Sequence, residues 1–266
     1  MFFMRLFALL AIACFPAVFQ AQPTFPLTDL PLNDMTSFSA PPKNWQIVGD
    51  VQADLTKDNA LKSSQGKGIL VNLPDKNSNG NLLFNLEHGD IDLELDVLMA
   101  KHSNSGIYLQ GRYEIQLLDS WGKKTASFGD IGGVYERWND AKPEGQKGYN
   151  GIPPRINASR APGLWQRLHI EFQAPRFDAS GKKTSNARLL RVTLNGAVIH
   201  ENVELSGPTR GQAFPGEAAL GPLFIQGDHG PVAFRNIRYR LYSDAPATIS
   251  KLSYRSFSGE FPGVPD

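Results

Sequence analysis

The sequence has almost no cysteine: Cys14 is the only one in 266 residues. A single chain therefore forms no internal disulfide and no thiolate metal cluster. An excess of either charge is also missing, since 27 basic and 26 acidic residues leave a formal net charge of +1. Such a balance gives no support for a nucleic-acid partner or an anionic membrane surface. Apolar runs long enough to span a bilayer are absent. No apolar pattern at helical spacing continues beyond about three turns. The chain also lacks an HExxH pair, a phosphate loop, a dinucleotide glycine fingerprint and a G-x-S-x-G elbow. Gly and Pro are plentiful, 25 and 19 respectively, as a chain of many turns requires.

The opening "MFFMRLFALLAIACFPAVFQAQ" carries Arg5 before an apolar run from Leu6 to Phe15. The run is too short for a transmembrane span and fits a secretory signal over residues 1–21, cleaved near Ala21. Export to the periplasm or the extracellular space is expected. The alternative is a lipoprotein anchored at Cys14, because "LAIAC" faintly resembles a lipobox. Residues 22–44, rich in Pro, Thr, Ser and Asn, read as an extended lead-in. Residues 45–242 form one domain, and 243–266 lose all periodicity and read as a tail.

Within the domain, "DIDLELDVLM" alternates Ile91, Leu93, Leu95, Val97 and Met99 with Asp92, Glu94 and Asp96. "WQRLHIEFQ" alternates in the same way, with Leu168, Ile170 and Phe172 on one side. A period of two means half-buried strands. Asn195-Gly196 between apolar runs predicts a type I′ hairpin. In "PVAFRNIRYRLYS" the phase changes, which predicts a β-bulge near Asn236. Many short strands with Gly/Pro turns predict an all-β protein: a jelly-roll β-sandwich of two antiparallel sheets.

Two stretches carry candidate chemistry. In "NSGIYLQGRYEIQLLDSWG" the core phase belongs to Ile107, Leu109, Ile115 and Leu117. A tight turn at Gly111-Arg112 gives strands over about 106–110 and 113–118. Tyr108 and Gln110 then share a polar face, as do Glu114 and Gln116, with Arg112 at the turn and Asp119 at the strand end. The bland reading is a solvated hairpin; the richer one is a hydrogen-bonding groove. In "GPLFIQGDHGPVAFRNIRYRL", Gln226, Asp228 and His229 meet at a glycine-flanked turn. An adjacent carboxylate orients a histidine and raises its pKa, which suits a general base. The loop from Glu136 to Gly163 brings Trp138, Tyr149, Arg155, Asn157 and Arg160, aromatic and planar groups suited to a sugar. "SNSG" and "GDHG" offer oxygen ligands to a divalent cation such as calcium, a weak signal that assigns no ligand set.

Taken in order, the blocks "NSGIYLQGRYEIQLLDSWG", "GGVYERW", "INASRAPGLWQRLHIEFQAPRFD", "LNGAVIHENVEL" and "GPLFIQGDHGPVAFRNIRYRL" resemble the 3-keto-disaccharide hydrolase domain family over residues of about 37 to 242. The resemblance implies a concanavalin A-like fold and exported proteins acting on 3-keto-glycosides. Two departures are visible: the hairpin closes tightly at "QGRYE", and Leu164 replaces a residue that is often polar. A ketone at C3 makes the C2 proton acidic, so a base can start elimination of the C1 substituent. On this reading His229, supported by Asp228, is the base, and Glu114 is a second base or acid. Tyr108, Gln110, Arg112, Gln116, Asp119, Tyr135, Arg155, Arg160 and Gln226 are the candidate substrate contacts. Two alternatives remain. One is a laminarinase-like retaining glycosidase, which needs paired carboxylates; Gln116 stands where its middle carboxylate belongs, and Asp119 is out of phase with Glu114. The other is a lectin-like module that binds sugar without turnover.

Overall fold

The computed structural model describes residues 26–242. The expected signal segment, Cys14 and the tail from 243 lie outside the described residues. Seventeen strands follow one another with no helix among the described residues. In chain order they are β1 (Thr28–Asp29), β2 (Phe38–Ser39), β3 (Trp45–Ala53), β4 (Leu61–Asn72), β5 (Leu82–His88) and β6 (Ile91–Met99). Then come β7 (Asn104–Leu109), β8 (Tyr113–Leu118), β9 (Arg137–Trp138), β10 (Gly148–Tyr149), β11 (Trp165–Gln173) and β12 (Arg176–Phe177). The last are β13 (Lys183–Ser185), β14 (Ala187–Leu194), β15 (Ala197–Leu205), β16 (Gly221–Ile225) and β17 (Val232–Leu241).

The chain builds the two-sheet antiparallel sandwich that its alternation predicts. The larger sheet runs β15-β14-β11-β6-β17-β4-β3, with β1 on β17. The smaller runs β2-β5-β16-β7-β8. Two small ribbons, β9-β10 and β12-β13, stand apart. The core lies between the sheets. Ile107, Leu109, Ile115 and Leu117 of the small sheet join Leu93, Leu95, Leu168, Ile170, Phe172 and Phe234 of the large one in one buried cluster. The segment read as a lead-in is paired rather than loose. Thr28 and Asp29 lie against Tyr239 and Arg238, and Phe38 and Ser39 against Phe84 and Leu83.

Local backbone chemistry fixes the registers. Asn195 and Gly196 have φ of 53° and 84°, the positive pair of a type I′ turn. The bulge falls at Asn236, with φ 52°, where the β17–β6 register shifts between Arg235 and Arg238. The Asn236 amide donates to Asp96 Oδ2 at 2.8 Å, so the extra residue is anchored as well as tolerated. The β7–β8 turn corrects the reading from sequence. Its central residues are Gln110 and Gly111, with φ of 54° and 64°, and Arg112 N donates to Leu109 O at 3.0 Å. The turn is therefore one residue earlier than Gly111-Arg112. Tyr108 faces Glu114 across the pair and Gly106 faces Gln116, while Gln110 leaves the strand face altogether.

The bulge gives a testable ordering. Asn236→Ala keeps a β-carbon at positive φ without the polar side chain that lets asparagine tolerate that conformation, and it removes the bond to Asp96, so it should cost about 1–3 kcal/mol. Asn236→Gly loses the same bond but adopts positive φ without steric cost, and should cost less. Urea midpoints at unchanged m-value check this; equal losses would mean that the backbone is not strained there.

Candidate functional site

The outward face of the small sheet is not an ordinary solvated face. Phe224 on β16 pairs with Tyr108 on β7, which pairs with Glu114 on β8. In the neighbouring row Gly106 pairs with Gln116, and Gln226 N donates to Gly106 O at 2.9 Å. Gly106 has no positive φ, so its backbone does not demand glycine. The space does: a β-carbon there would collide with Glu114 Oε1. The glycine of "NSG" is thus the bed on which the Glu114 carboxyl lies. Glu114 Oε2 accepts from the Tyr108 hydroxyl at 2.7 Å. Only 2% of Glu114 is exposed. Burial pushes its pKa up to about 8; the Tyr108 bond opposes this and the nearby charge of Asp228 adds to it. The carboxyl is therefore protonated at neutral pH, its Oε2 an acceptor for Tyr108. Burial, then the Glu114 charge, holds the phenols of Tyr108 and Tyr135 above their ordinary range.

The turn after β16 supplies the second group. His229 Nδ1 and Asp228 Oδ1 are 2.6 Å apart. The Asp228 hydrogen bond raises the histidine pKa, against burial and the charge of Arg210. With Nδ1–H given to Asp228, Nε2 is the ring nitrogen available as a base. Both residues are exposed, and Asp228 lines a cleft of about 500 Å³. A buried amide holds the turn. Asn72 Nδ2 donates to Gly227 O and Gly230 O, both at 2.9 Å, and Asn72 Oδ1 accepts from Asn44 at 2.7 Å.

The wall of the groove is the segment 206–220. Thr209 N donates to Arg112 O, Thr209 Oγ1 accepts from Glu114 N, and Ala213 N donates to Gly111 O. Arg210 lies with its guanidinium 3.8 Å over the Trp138 ring. Among the described residues its guanidinium has no hydrogen-bond or carboxylate partner. It is the uncommitted cation of the groove, and sequence reasoning missed it because "PTRGQ" has no periodic signal. Oxygen ligands for a hard cation reduce to Asn104 Oδ1 and Gln226 Oε1, both buried without a partner, and the Asp228 carboxylate. No group of three or more His, Cys, Asp or Glu placed to hold a metal ion exists among the described residues.

Residues 37–240 match the 3-keto-alpha-glucoside-1,2-lyase-like domain. The chain belongs to that family. The match agrees with the resemblance carried by the NSG hairpin and the terminal "FRNI" strand, and it puts the chain among carbohydrate-active proteins. No curated protein matches it. A solved structure of a glycosyl hydrolase candidate from Parabacteroides distasonis is similar at 23% identity, with 85% of this chain and 96% of that one covered and a TM-score of 0.52. A second from the same organism has 16% identity, coverage of 80% and 99%, and a TM-score of 0.49. At that identity the first likeness speaks for the fold alone.

Within this member of the family, the expected site residues divide. Tyr108, Glu114, Gln116, Tyr135, Gln226 and Asp228 with His229 gather on or beside the small-sheet face. Gln110 does not: its amide nitrogen donates to His88 O and Ala219 O, and its backbone N to His88 Nε2. Arg112 is committed to the carbonyls of Gly216 and Gln110 and lies over Phe214. Asp119 caps the backbone N–H groups of His102 and Trp121. Arg155 pairs with Glu201, and Arg160 donates to Trp165 O beside the other sheet. All five serve the framework here.

Two outcomes test the Glu114 environment. Glu114 ionises near 4.5 when unfolded and about 8 when folded. Stability is then complete below 4.5 and falls as pH rises toward 8, by up to about 1.4 kcal/mol per pH unit. Glu114→Gln should flatten that slope; an unchanged slope would show that the carboxyl is not held protonated. Separately, Gly106→Ala should cost about 1–3 kcal/mol by overpacking. In a Glu114→Ala background the same change should cost much less, a coupling that a double-mutant cycle measures.

Proposed function

We propose that this protein cleaves 3-keto-α-glucosides by elimination across C1 and C2. The observation that carries the reading is the pairing of unlike proton carriers on one face. Glu114 is buried and protonated near neutral pH, while the Asp228–His229 pair leaves Nε2 free in the adjoining turn. Environments that push titratable groups into opposite roles mark acid and base.

In the proposed sequence, His229 Nε2 takes the proton from C2. The C–H electrons form the C2–C3 double bond, and the C3 oxygen becomes an enolate. Arg210, steadied on Trp138, is the cation placed to stabilise that charge. The ketone then reforms, the electrons move to C1–C2, and the C1–oxygen bond breaks. The departing oxygen takes the proton from Glu114. The products are a free alcohol and a 1,2-unsaturated 3-keto sugar; water added afterwards makes the net result a hydrolysis. The retaining glycosidase reading loses support, because Asp119 caps backbone amides and Gln116 carries no charge. Export before action remains part of the proposal, motivated by the apolar start of the chain.

The decisive experiment compares a 3-keto-α-glucoside with its unoxidised parent. Only the ketone should release its alcohol, and deuterium at C2 should slow it where proton removal limits the rate. His229→Ala should lower kcat by about 10²–10⁴-fold, the usual share of a general base. The kcat profile should be bell-shaped, failing on the acid side as His229 protonates and on the alkaline side as Glu114 loses its proton near 8. Equal cleavage of ketone and parent would sink the enolate route and restore the glycosidase reading. Binding of both without cleavage of either would make the protein a lectin.

A further inference from the structure

The cleft that Asp228 lines changes character along its length. At one end it is lined by Asp228, the partner of His229, and by Gly211, the residue after Arg210. Its apolar lining is Leu83, Phe214 and Phe224, which pack on the buried ring of Tyr108. The Tyr108 and Phe224 rings meet edge to face, centroids 5.2 Å apart. Pro42 and Ala213 close the sides. Phe214 is seated by its neighbours: a β-carbon on Gly111 would come within 2.7 Å of its ring, and the Arg112 guanidinium lies 5.4 Å from its centroid.

The polar groups of this end are largely engaged elsewhere. Gly80 O accepts from Asn44 Nδ2 and Trp45 Nε1, both at 2.8 Å, and Gly80 N donates to Asn44 Oδ1. Asn81 Oδ1 accepts from Gly227 N at 2.7 Å. Among lining side chains other than Asp228, that leaves Ser39, Asn79 and the Asn81 amide nitrogen for a ligand. A second sugar ring would bring several hydroxyls to a wall with few free partners, and unpaired hydroxyls in an apolar cleft are costly. A flat hydrocarbon ring would lie on Phe224 and against Phe214 without that cost. A volume of about 500 Å³ has room for a hexose together with one such ring.

We infer that this end of the cleft is an aglycone subsite for an aromatic or alicyclic alcohol, so that the preferred substrates are 3-keto-α-glucosides of ring-bearing apolar alcohols rather than 3-keto-disaccharides. The inference rests on the elimination reading for the identity of the sugar, and its test is separable from that reading. Unoxidised parents bind without needing turnover. Calorimetry on the wild-type protein with benzyl α-glucoside, methyl α-glucoside and maltose reads the subsite alone. Benzyl alcohol and methanol are similar leaving groups, so the same pair as 3-keto derivatives reads the reaction without a leaving-group bias.

Benzyl α-glucoside should bind about 10- to 100-fold more tightly than methyl α-glucoside, from burial of the phenyl ring. Maltose should show no such gain. Phe214→Leu and, independently, Ala213→Asp should each pull the benzyl-to-methyl ratio toward one. The second variant leaves Phe214 in place and so guards against a folding artefact in the first. Maltose binding as tightly as the benzyl glycoside, no saturable benzyl binding, or a ratio unmoved by both variants would overturn the subsite. A preserved ratio with no alcohol released from either ketone would defeat the elimination reading and leave the subsite standing.

Discussion

One buried amide holds the acid–base face in place. Asn72 is fully buried at the end of β4 in the large sheet, yet its amide nitrogen reaches the carbonyls of Gly227 and Gly230 beyond β16 in the small one. Those carbonyls bracket Asp228 and His229. A turn this short has few internal bonds, so its shape is set from outside. Each buried carbonyl left without a donor would cost about 1–3 kcal/mol, which makes any alternative turn expensive. Asn44 then orients Asn72, and Gly80 orients Asn44. The network crosses from one sheet to the other at the end of the sandwich where the cleft opens. Packing of the core alone would bring the sheets together, but it would not fix the direction in which His229 presents its ring.

The other half of the face depends on an absence, the missing side chain of Gly106. Strand alternation shows which side of β7 and β8 is buried, and the phase of Ile107, Ile115 and Leu117 was legible on that basis. The same alternation marked Tyr108, Glu114 and Gln116 as a shared polar face, and they do share one. It failed at Gln110 and Arg112. Period two holds only while the backbone stays pleated, and positive φ at Gln110 and Gly111 ends the pleat. Beyond that point both side chains serve the turn and the 206–220 segment. The polar residues nearest a turn are those that local bonding claims first.

Loop residues were the least legible part. The insert from Glu136 was rightly seen as rich in aromatic and planar groups, but composition does not say which way a loop folds. Arg155 N is tied to Ile199 O, which carries that arginine to the β15 side. Trp138 is tied to the 206–220 segment through Arg210, whose N bonds to Glu136 O and whose guanidinium covers the indole. Arg210 itself lies far along the chain from the NSG hairpin and outside the stretch that begins at Gly221. No spacing rule connects a lone arginine in a Gly/Pro-rich segment to a glutamate on a strand nearly a hundred residues earlier. Contacts at that sequence separation come from the closure of the sandwich.

A second histidine–carboxylate pair shows why residue type alone does not define a site. On the outer face of the large sheet His169 Nε2 meets Asp92 at 2.5 Å, closer than His229 meets Asp228. The Asp92 hydrogen bond raises its pKa too. Yet that pair sits in a ladder of compensated charge. Glu94 pairs with Arg167 and Arg238, Asp96 with Arg167 and Arg235, and Asp92 also has Arg240 within 3.9 Å. Cationic partners flank the acids on both neighbouring strands, so no charge is left to act on a ligand. His229 differs in what surrounds it: its partner Asp228 lines a cleft, the unpartnered Arg210 is near enough to act on its charge, and Asp228 in turn acts on the buried carboxyl of Glu114. Chemistry becomes available where the fold leaves hydrogen-bonding capacity and charge unmatched beside a concave surface. Among the described residues, the two sheets differ in that respect more than in composition.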